Sequence, residues 1–465
     1  MRHRVLLAAA TVLLLAGCRP VDGAAGIGDP YSPDLGNGGY DVLHYDIALD
    51  YDLPANYLTA STSIRARTTQ SLRSFALDFP GMEVDSVEVN GSQATFDRLG
   101  RDLRITPART LLWPFTFSVR VEYHGTPVPS DSTLVSFQVG WFQAEDGSVN
   151  VMNVPDGAET WFPANDHPRD KATYRLAISV PGEWCVVGPG SLASMSQEGG
   201  RTRYVYETNR PMTTTSAVLH IDKYEIVEMA PVDGVALRVF YPEETTDDLK
   251  QKFTILPEAL RVLSDAFGPY PFDSYSVVIA DPWSLICLGD VLANSEQTVT
   301  LQCPSYYGTD SLTTVHELAH EWFGNSISPA SMQDTWLEEG PATYAQWIWR
   351  RRDGGLADVD QLARFSEKEY SPQAPIGQPP TDEVASNEVY VGGALLLHAL
   401  RLRIGEEAFF ATLKEFTARY QYGIAGTSDF VEIAEKVSGE DLQSFFQAWL
   451  YQVQPPPLPD LPSQS

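Results

Sequence analysis

Two histidines, His316 and His320, lie four residues apart and restrict the local fold more strongly than any other pair in the chain. Four residues are slightly more than one turn of an α-helix, so both imidazoles point to the same helix face. That face can offer two neutral nitrogens to one zinc ion. Glu317 follows the first histidine and stands beside the metal, where it suits a general base acting on a water molecule. The pattern therefore predicts a helix that holds one catalytic Zn²⁺ ion.

A catalytic zinc site needs a third protein ligand and leaves a fourth position open. Glu339 follows His320 after eighteen intervening residues, which is room for the first helix to end and a second to return. We expect Glu339 to be the third ligand. The alternative interpretation is a pair of partly buried helix histidines without a metal, and the carboxylate at this later position argues against it.

The residues around these positions resemble a known family. Residues 316–325 read His-Glu-Leu-Ala-His-Glu-Trp-Phe-Gly-Asn, and Trp336–Gly340 reads Trp-Leu-Glu-Glu-Gly. Both stretches resemble the aminopeptidase N family of gluzincin zinc metallopeptidases, which also contains the leukotriene A hydrolases. Glu338 is a departure, because the family usually has Asn there. The resemblance implies zinc-dependent hydrolysis of peptide bonds, with aminopeptidase action as the leading expectation.

Two further stretches add to the resemblance. Residues 159–174 contain a Phe-Pro and a Lys-Ala-Thr segment similar to those of the family's N-terminal β domain, near the active-site edge. Val389–Ala394 is similar to the family's Tyr-x-x-Gly-Ala run, with Gly392 where Lys is common. The resemblance implies that Tyr390 donates a hydrogen bond to the oxyanion of the reaction. The alternative for Tyr390 is a packed aromatic residue at a helix start.

A substrate with a free N-terminus requires a carboxylate that faces its ammonium group. The family supplies it through a Gly-x-Met-Glu-Asn motif that this chain lacks, and Glu296 is the nearest candidate. If residues 297–298 fix the alignment, however, Ser295 takes the glutamate position. Glu296 then points to the opposite face of a strand unless a bulge intervenes. The family's second anchor is also missing, since Val154 occupies its place, with Asp156 nearby as a substitute.

The leading hypothesis is a zinc aminopeptidase that uses one Zn²⁺ ion and acts on peptides. The altered anchor region leaves two alternatives open. One is an endopeptidase or another amide hydrolase without an amine anchor. The other is a zinc-binding module that holds peptides without cleaving them, and the intact Glu317 and Tyr390 argue against it. The sequence does not indicate an oligomeric state.

The first eighteen residues are typical of an export signal. Arg2 and Arg4 precede an apolar run, Val5–Leu15, that is too short to span a bilayer as a stable helix. Residues 15–18, Leu-Ala-Gly-Cys, resemble a bacterial lipoprotein box, in which the cysteine is lipidated and becomes the new N-terminus. We expect Cys18 to carry the lipid and the catalytic domain to be extracytoplasmic, anchored to a bacterial membrane. The alternative is an ordinary signal peptide that is cut nearby.

Hydrophobic patterning divides the rest of the chain. Short alternating runs with turn signals extend to about Tyr224 and indicate an antiparallel β domain. Apolar residues at helical spacing dominate afterwards, and with the histidine helix they resemble a mainly helical, thermolysin-like domain. The long C-terminal helical domain of larger family members is not expected. The predicted segments are a lipoprotein signal peptide (1–17), a flexible tether (18–39), an N-terminal β domain (40–225), a thermolysin-like zinc peptidase domain (226–452) and a Pro-rich tail that is disordered or extended (453–465).

Charge and cysteines set further limits. The formal net charge of −29 argues against nucleic acid or an anionic lipid surface as a partner. Cys287 and Cys303 are close in sequence, and export would permit a disulfide, although spacing alone does not fix their separation. Cys185 is most simply a buried strand residue.

Overall fold

The computed structural model describes residues 19–282, 284–288, 292–304, 310–352 and 359–459. The predicted signal peptide and Cys18 therefore lie outside the described residues. Within the described part of the chain, no helix is both long and apolar enough to cross a bilayer. A β-rich half is followed by a mainly helical half, which confirms the predicted fold class.

The β-rich half is built on an eight-stranded sheet with one buried and one more exposed face. Along Tyr40–Asp52, Tyr45, Ile47 and Leu49 are buried and alternate with more exposed residues. This period of two places one face of the strand against apolar neighbours. All neighbours pair antiparallel except Tyr40–Asp52 with Thr173–Pro181, which run parallel. The sheet order is Ser191–Glu198, Arg201–Glu207, Thr173–Pro181, Tyr40–Asp52, Tyr57–Thr68, Thr116–Gly125, Glu83–Val89, Ser92–Gln93.

Two smaller sheets complete the β-rich half. Trp141 of the second of them packs against Tyr51 of the large sheet and against Trp161, with ring centroids 5.1 and 5.9 Å apart, so one aromatic core joins the layers. The first sheet has the order Val21–Asp22, Leu72–Asp78, Asp102–Thr106, Thr95–Leu99. The second has the order Ser130–Asp131, Gln138–Gln143, Val149–Met152, His220–Asp222, Cys185–Val187.

The N-terminal segment (residues 19–39) is packed, so the prediction of a flexible tether is wrong for this described part. Leu35 and Asp29 are each only 1% exposed. Gly36 has a φ of 65°, and a Cβ there would lie 2.9 Å from the Cβ of His167. Glycine therefore permits close approach here and does not signal motion. The segment lacks any periodic pattern in the sequence, and for that reason it suggests disorder. In the structure its irregular backbone is nevertheless hydrogen-bonded to the body.

The helical half starts with a five-stranded sheet. Its last two strands are antiparallel, with Ser295 opposite Thr300 and Glu296 opposite Val299. Successive residues of such a strand face opposite sides of the sheet, so this register decides which of them can face a neighbouring cavity. The sheet order is Tyr224–Val232, Val235–Pro242, Ser274–Ile279, Val299–Gln302, Ala293–Glu296.

Helices form the rest of this half around one large core. Phe267, at the end of its helix, contacts Trp322 and Phe323 edge-on, with ring centroids 6.0 and 5.0 Å apart. These contacts pack the helix Leu256–Phe267 against the segment that follows the two histidines. The helices are Asp247–Lys252, Leu256–Phe267, Leu285–Leu288, Ser311–Ala319, Trp336–Arg352, Val359–Glu369, Gly393–Ile404, Glu406–Arg419, Thr427–Ser438 and Gln443–Leu450.

The structure settles the cysteine pairing that the sequence left open. Cys287 and Cys303 form a disulfide, which links the short helix Leu285–Leu288 to the residue after the strand Val299–Gln302. Cys185 is a free thiol in the strand Cys185–Val187 and is half-buried. Burial raises the pKa of the Cys185 thiol to about 11, so it stays protonated at neutral pH.

Residues 453–459 of the Pro-rich tail form no helix or strand and are docked on the body. Leu458 is 4% exposed, and its amide donates a hydrogen bond of 2.6 Å to Glu367. Its carbonyl oxygen accepts one of 2.9 Å from Arg364. The described part of the tail therefore packs on the helix Val359–Glu369.

Candidate active site

The zinc-motif helix, Ser311–Ala319, is set by a capping residue at its start. The Oδ1 atom of Asp310 accepts hydrogen bonds from two backbone amides of the first turn, at 3.0 and 2.8 Å. His316 lies inside the helix, and His320 follows its last residue with helical backbone angles, φ −60° and ψ −20°. The two imidazole rings therefore remain neighbours, with centroids 4.8 Å apart.

Glu339 completes a group of three metal-ligand side chains. Its Oε2 atom lies 3.2 Å from Nε2 of His316 and 3.5 Å from Nε2 of His320. Ligands held about 2.1 Å from a tetrahedral zinc ion stand about 3.4 Å from one another, so these separations fit the metal. Nδ1 of His320 lies 3.1 Å from the carbonyl oxygen of Phe323. A proton on Nδ1 makes this hydrogen bond and leaves Nε2 free to bind metal.

Burial and charge give the two carboxylates of the motif different pKa values. Burial acts to raise the pKa of Glu339, but His320 and His316 lower it overall, so this carboxylate stays ionised as a ligand must. Burial raises the pKa of Glu317 to about 7, against the opposing effect of His316. A carboxylate that gains and loses a proton near neutral pH suits a general base.

Tyr390 lies beside the metal ligands in a π-helical turn, Glu388–Gly392, directly before the helix Gly393–Ile404. Such turns are frequent at functional sites. The Tyr390 ring stacks on the His316 imidazole, with centroids 5.7 Å apart and an angle of 11° between the planes. Burial raises the pKa of Tyr390 well above its usual value, so the phenol keeps its proton and can donate a hydrogen bond.

Glycines permit the close packing around Tyr390. A Cβ at Gly340 would lie 3.0 Å from backbone atoms of Gly393, so only glycine lets these two helices cross at this distance. Gly392 stands where the family commonly has Lys. A side chain there would collide with Tyr370 and with Ile376. The departure at position 392 therefore has a packing reason.

The site opens onto a cavity of about 600 Å³ between the two halves of the molecule. The β-rich half contributes an apolar wall that includes Phe137, Met152 and Val154. The helical half contributes the three ligands together with Glu317 and Tyr390. The structure thus brings together five predicted site residues at one concave surface, as expected for a pocket that binds a small molecule or short peptide.

Glu296 does not reach this cavity, so its prediction as the amine anchor is corrected. Its side chain is 0% exposed, and Oε1 accepts a hydrogen bond from the side-chain amide of Asn294. Ser295 and Asn294 are part of the cavity lining, and Glu296 is not. No bulge interrupts the pairing of this strand. Burial raises the pKa of Glu296 well above its usual value, which makes it a neutral group of the interior.

Asp156 does not substitute for the missing second anchor either. It is 1% exposed, and its Oδ2 atom lies 3.5 Å from Nη2 of Arg101, away from the cavity lining. Val154 does line the cavity. If residues 297–298 fix the alignment, Val154 and Ser295 stand at the two anchor positions, and these lining residues present no charge to the cavity.

Glu338, the residue that departs from the family pattern beside the third ligand, faces the cavity. Burial raises its pKa to about 8, Glu339 adds to the rise and Lys171 opposes it. Lys171 is held by three backbone carbonyl oxygens at 2.9, 3.0 and 3.2 Å. Sequence reasoning gave Lys171 no role, because its partners come from chain segments up to 252 residues away. The unusual Glu at position 338 was a sequence signal that could have pointed to a basic group nearby, such as Lys171.

Comparison with known proteins places this geometry in a class. The Peptidase M1 N-terminal domain matches residues 42–215, and the Peptidase family M1 domain matches residues 253–449. The chain carries both domains in order and belongs to peptidase family M1. This confirms the resemblance inferred from the motifs, and with the ligand geometry it confirms zinc as the cofactor.

Particular relatives agree with this class. The chain is 24% identical to aminopeptidase M1-C of Oryza sativa subsp. japonica over 88% of its own length and 49% of that protein. It is 26% identical to leukotriene A-4 hydrolase of Xenopus laevis over 84% of its length and 67% of that protein. It thus spans about half the length of the plant relative.

A solved structure matches almost end to end. An M1 zinc metallopeptidase from Deinococcus radiodurans superposes with a TM-score of 0.84 at 27% identity, covering 94% of this chain and 99% of that one. A mutant of that protein, bound to a Tyr-Ser-Ala substrate, gives the same TM-score over 94% of this chain and 100% of its own.

Proposed function

We propose that this protein is a zinc-dependent aminopeptidase that removes N-terminal residues from short peptides. The observation that carries the proposal is the grouping of the His316, His320 and Glu339 ligands with Glu317 and Tyr390 around one cavity. The solved relative bound to a tripeptide supports a peptide as the substrate class.

The chain's own residues can perform the proton transfers of peptide hydrolysis. A zinc ion at the ligand group would act as a Lewis acid towards the scissile carbonyl and the attacking water. Glu317 takes a proton from the water molecule as the water oxygen bonds to the carbonyl carbon. Tyr390 donates a hydrogen bond to the resulting oxyanion. Glu317 then delivers its proton to the leaving amine as the C–N bond breaks.

The walls of the cavity favour a small, extended substrate. Phe137 and Met152 present apolar surface to the cavity, against which apolar parts of a substrate would pack. Two further acidic side chains, Glu383 and Glu338, line the cavity. Glu338, whose pKa burial raises to about 8, would pair with a substrate ammonium only on losing its proton.

An endopeptidase is the second candidate, and one observation favours it. Val154 and Ser295 occupy the two anchor positions without charge. An endopeptidase substrate has a blocked amine, or several residues on the N-terminal side of the cleaved bond. It would leave no anchor carboxylate unpaired at these positions.

A pair of peptides separates the two candidates. One short peptide is supplied with a free N-terminus and again N-acetylated, and products are followed by mass spectrometry with and without a zinc chelator. Chelator-sensitive loss of single residues from the free peptide alone is the expected result. Equal cleavage of both peptides would establish the endopeptidase, and cleavage of neither would contradict peptidase activity on such substrates.

We further propose that the mature protein is a lipoprotein, anchored through Cys18 to a bacterial membrane with the catalytic domain outside the cytoplasm. The Leu-Ala-Gly-Cys run at residues 15–18 supports lipidation. The Cys287–Cys303 disulfide suits an oxidising compartment. Mass spectrometry of the mature N-terminal peptide should find an acylated Cys18, and a free amine at another residue would contradict the anchor.

A further inference from the structure

An exposed apolar tip lies at the edge of the β-rich half that also holds Val21, near the start of the described chain. The tip is formed by residues 112–115, Leu-Trp-Pro-Phe. The side chains of Leu112, Trp113 and Phe115 are 54, 56 and 65% exposed. Three large apolar side chains that protrude together are unusual on a soluble surface and point to an interaction.

The tip is held in a fixed position. The Oγ1 atom of Thr68 donates hydrogen bonds to the carbonyl oxygens of Leu112 and Phe115, at 2.9 and 3.1 Å. Leu111, directly before the tip, is buried and exchanges two backbone hydrogen bonds with Leu72, at 2.7 and 2.9 Å. The exposure of the tip is therefore built into the fold, and these residues do not fold back onto the core.

Ser71 contacts both the tip and the start of the described chain. The carbonyl oxygen of Ser71 accepts a hydrogen bond of 2.9 Å from the Val21 amide. The Oγ atom of Ser71 accepts one of 3.1 Å from the Trp113 amide. Cys18 precedes Val21 by only three positions in the sequence, so a lipid on Cys18 would be joined to this edge by a short segment.

Charges of both signs lie beside the tip, and the whole chain is acidic, at −29. Arg19, Arg67 and Arg109 are exposed, and Arg67 is paired in register with Thr116, the residue after the tip. Asp22 forms an ion pair with Arg73, and Asp41 lies opposite Arg67 on the neighbouring strand. Exposed aromatic side chains are typical of protein that sits at the headgroup level of a bilayer.

We propose that residues 112–115 are a membrane-contact loop that inserts into the interfacial region of the bilayer holding the Cys18 lipid. This inference rests on the proposed lipid anchor. Two attachment points, the lipid and the tip, fix the orientation of the enzyme on the membrane. A second copy of the chain is a weaker occupant, because three side chains offer much less than the roughly 800 Å² per partner of a stable interface.

Quenching of tryptophan fluorescence tests the contact directly. The lipidated protein is reconstituted into phosphatidylcholine vesicles with or without brominated acyl chains, and its emission is compared with that of Trp113→Phe. We expect bromolipids to quench a component of the emission that the Trp113→Phe variant lacks. Equal quenching of both proteins would overturn the proposal.

A second measurement remains informative if the anchor fails. If mass spectrometry finds no lipid on Cys18, the same protein is titrated with preformed vesicles. The triple change of Leu112, Trp113 and Phe115 to Ser should then lower vesicle binding by about tenfold or more, because it removes the apolar area that partitions. Phe365→Ser is the matched control, since Phe365 is 66% exposed in the helical half.

Two outcomes of this titration would contradict the membrane contact. One is vesicle binding that is equal for the triple variant and the original chain. The other is self-association in solution that the triple variant abolishes, without any binding to vesicles, which would assign the tip to a contact between copies.

Discussion

The cavity has two ends whose residues are placed in different ways. The metal end holds the three zinc ligands, and the amine end, formed by Val154 and the strand Ala293–Glu296, is where the proposed aminopeptidase would meet a substrate amine. At the metal end, His316, His320 and Glu339 lie on or next to regular helices, and local spacing sets their positions. At the amine end, Val154 and the strand Ala293–Glu296 come from two different halves, and pairing register decides which side chains face the substrate. Helical spacing transfers between relatives more readily than register does, because one residue of slippage reverses a strand's faces.

The largest effect should come from Glu317→Gln at the metal end. Removal of the proton acceptor should lower kcat by about a thousandfold or more while zinc stays bound. Metal analysis and single-turnover kinetics check the two parts of this expectation. Glu296→Gln serves as the control, since that side chain lies outside the cavity. A comparable loss in the control would mean that Glu296 takes part after all.

Tyr390→Phe should reduce kcat by about a hundredfold with little change in KM, because the hydrogen bond to the oxyanion forms in the transition state. Steady-state kinetics on one peptide measures both constants. Tyr370→Phe removes a hydroxyl of the same kind from beside Gly392, outside the cavity lining, and should retain activity. Equal losses in both variants would point to packing and not to catalysis.

A substitution at Asp29 tests how the β-rich half and the helical half are held together beside the cavity, because Asp29 contacts residues of both. Its carboxylate accepts hydrogen bonds from Ser331 and the Met332 amide, at 2.8 and 2.9 Å, and lies 3.3 Å from His167 Nε2. Burial acts to raise the pKa of Asp29, but these hydrogen bonds lower it overall. Asp29→Asn should therefore lower the free energy of unfolding by about 2 kcal/mol at neutral pH.

The effect of Asp29→Asn should depend on pH in a defined direction. The folded-state pKa lies below the ordinary value of 3.8, so the stabilisation is present above that pH and is lost as the pH falls below it. Denaturant unfolding at several pH values should show the difference from the original chain shrinking in acid. Asp34→Asn, at an exposed site of the same segment, is the control. A difference that persists unchanged in acid would contradict the assignment.

The smallest effect should come from Ser295→Glu at the amine end. Ser295 lines the cavity at the family's glutamate position, so a carboxylate there should raise the preference for a free over an acetylated N-terminus by about tenfold. The ratio of kcat/KM for the two peptides measures it. Asn294→Gln alters a neighbouring lining residue without adding charge. An unchanged ratio in Ser295→Glu would mean that Glu338 or Glu383 already holds the amine.

Failures of sequence reasoning share a physical cause. The N-terminal segment was predicted to be flexible, yet Asp29 is buried by partners 138 and 303 residues away. Glu296 was chosen as an anchor because it is an acid near the expected position, but strand register turns it into the core. Neither partner choice nor register has a local signature, since both depend on which segments meet in the folded chain.

The metal chemistry and the order of the two halves can be read from local patterns in the chain. His316, His320 and Glu317 follow from helical spacing, and alternation against helical periodicity separates the β-rich half from the helical one. Which residues face the cavity and which face outward depends on how the sheets and helices pack. The tertiary structure turned Glu296 inward, packed Asp29 between the halves, and set the tip at residues 112–115 beside the start of the described chain. Those placements are long-range, and residues distant in sequence become neighbours only when the sheets and helices pack.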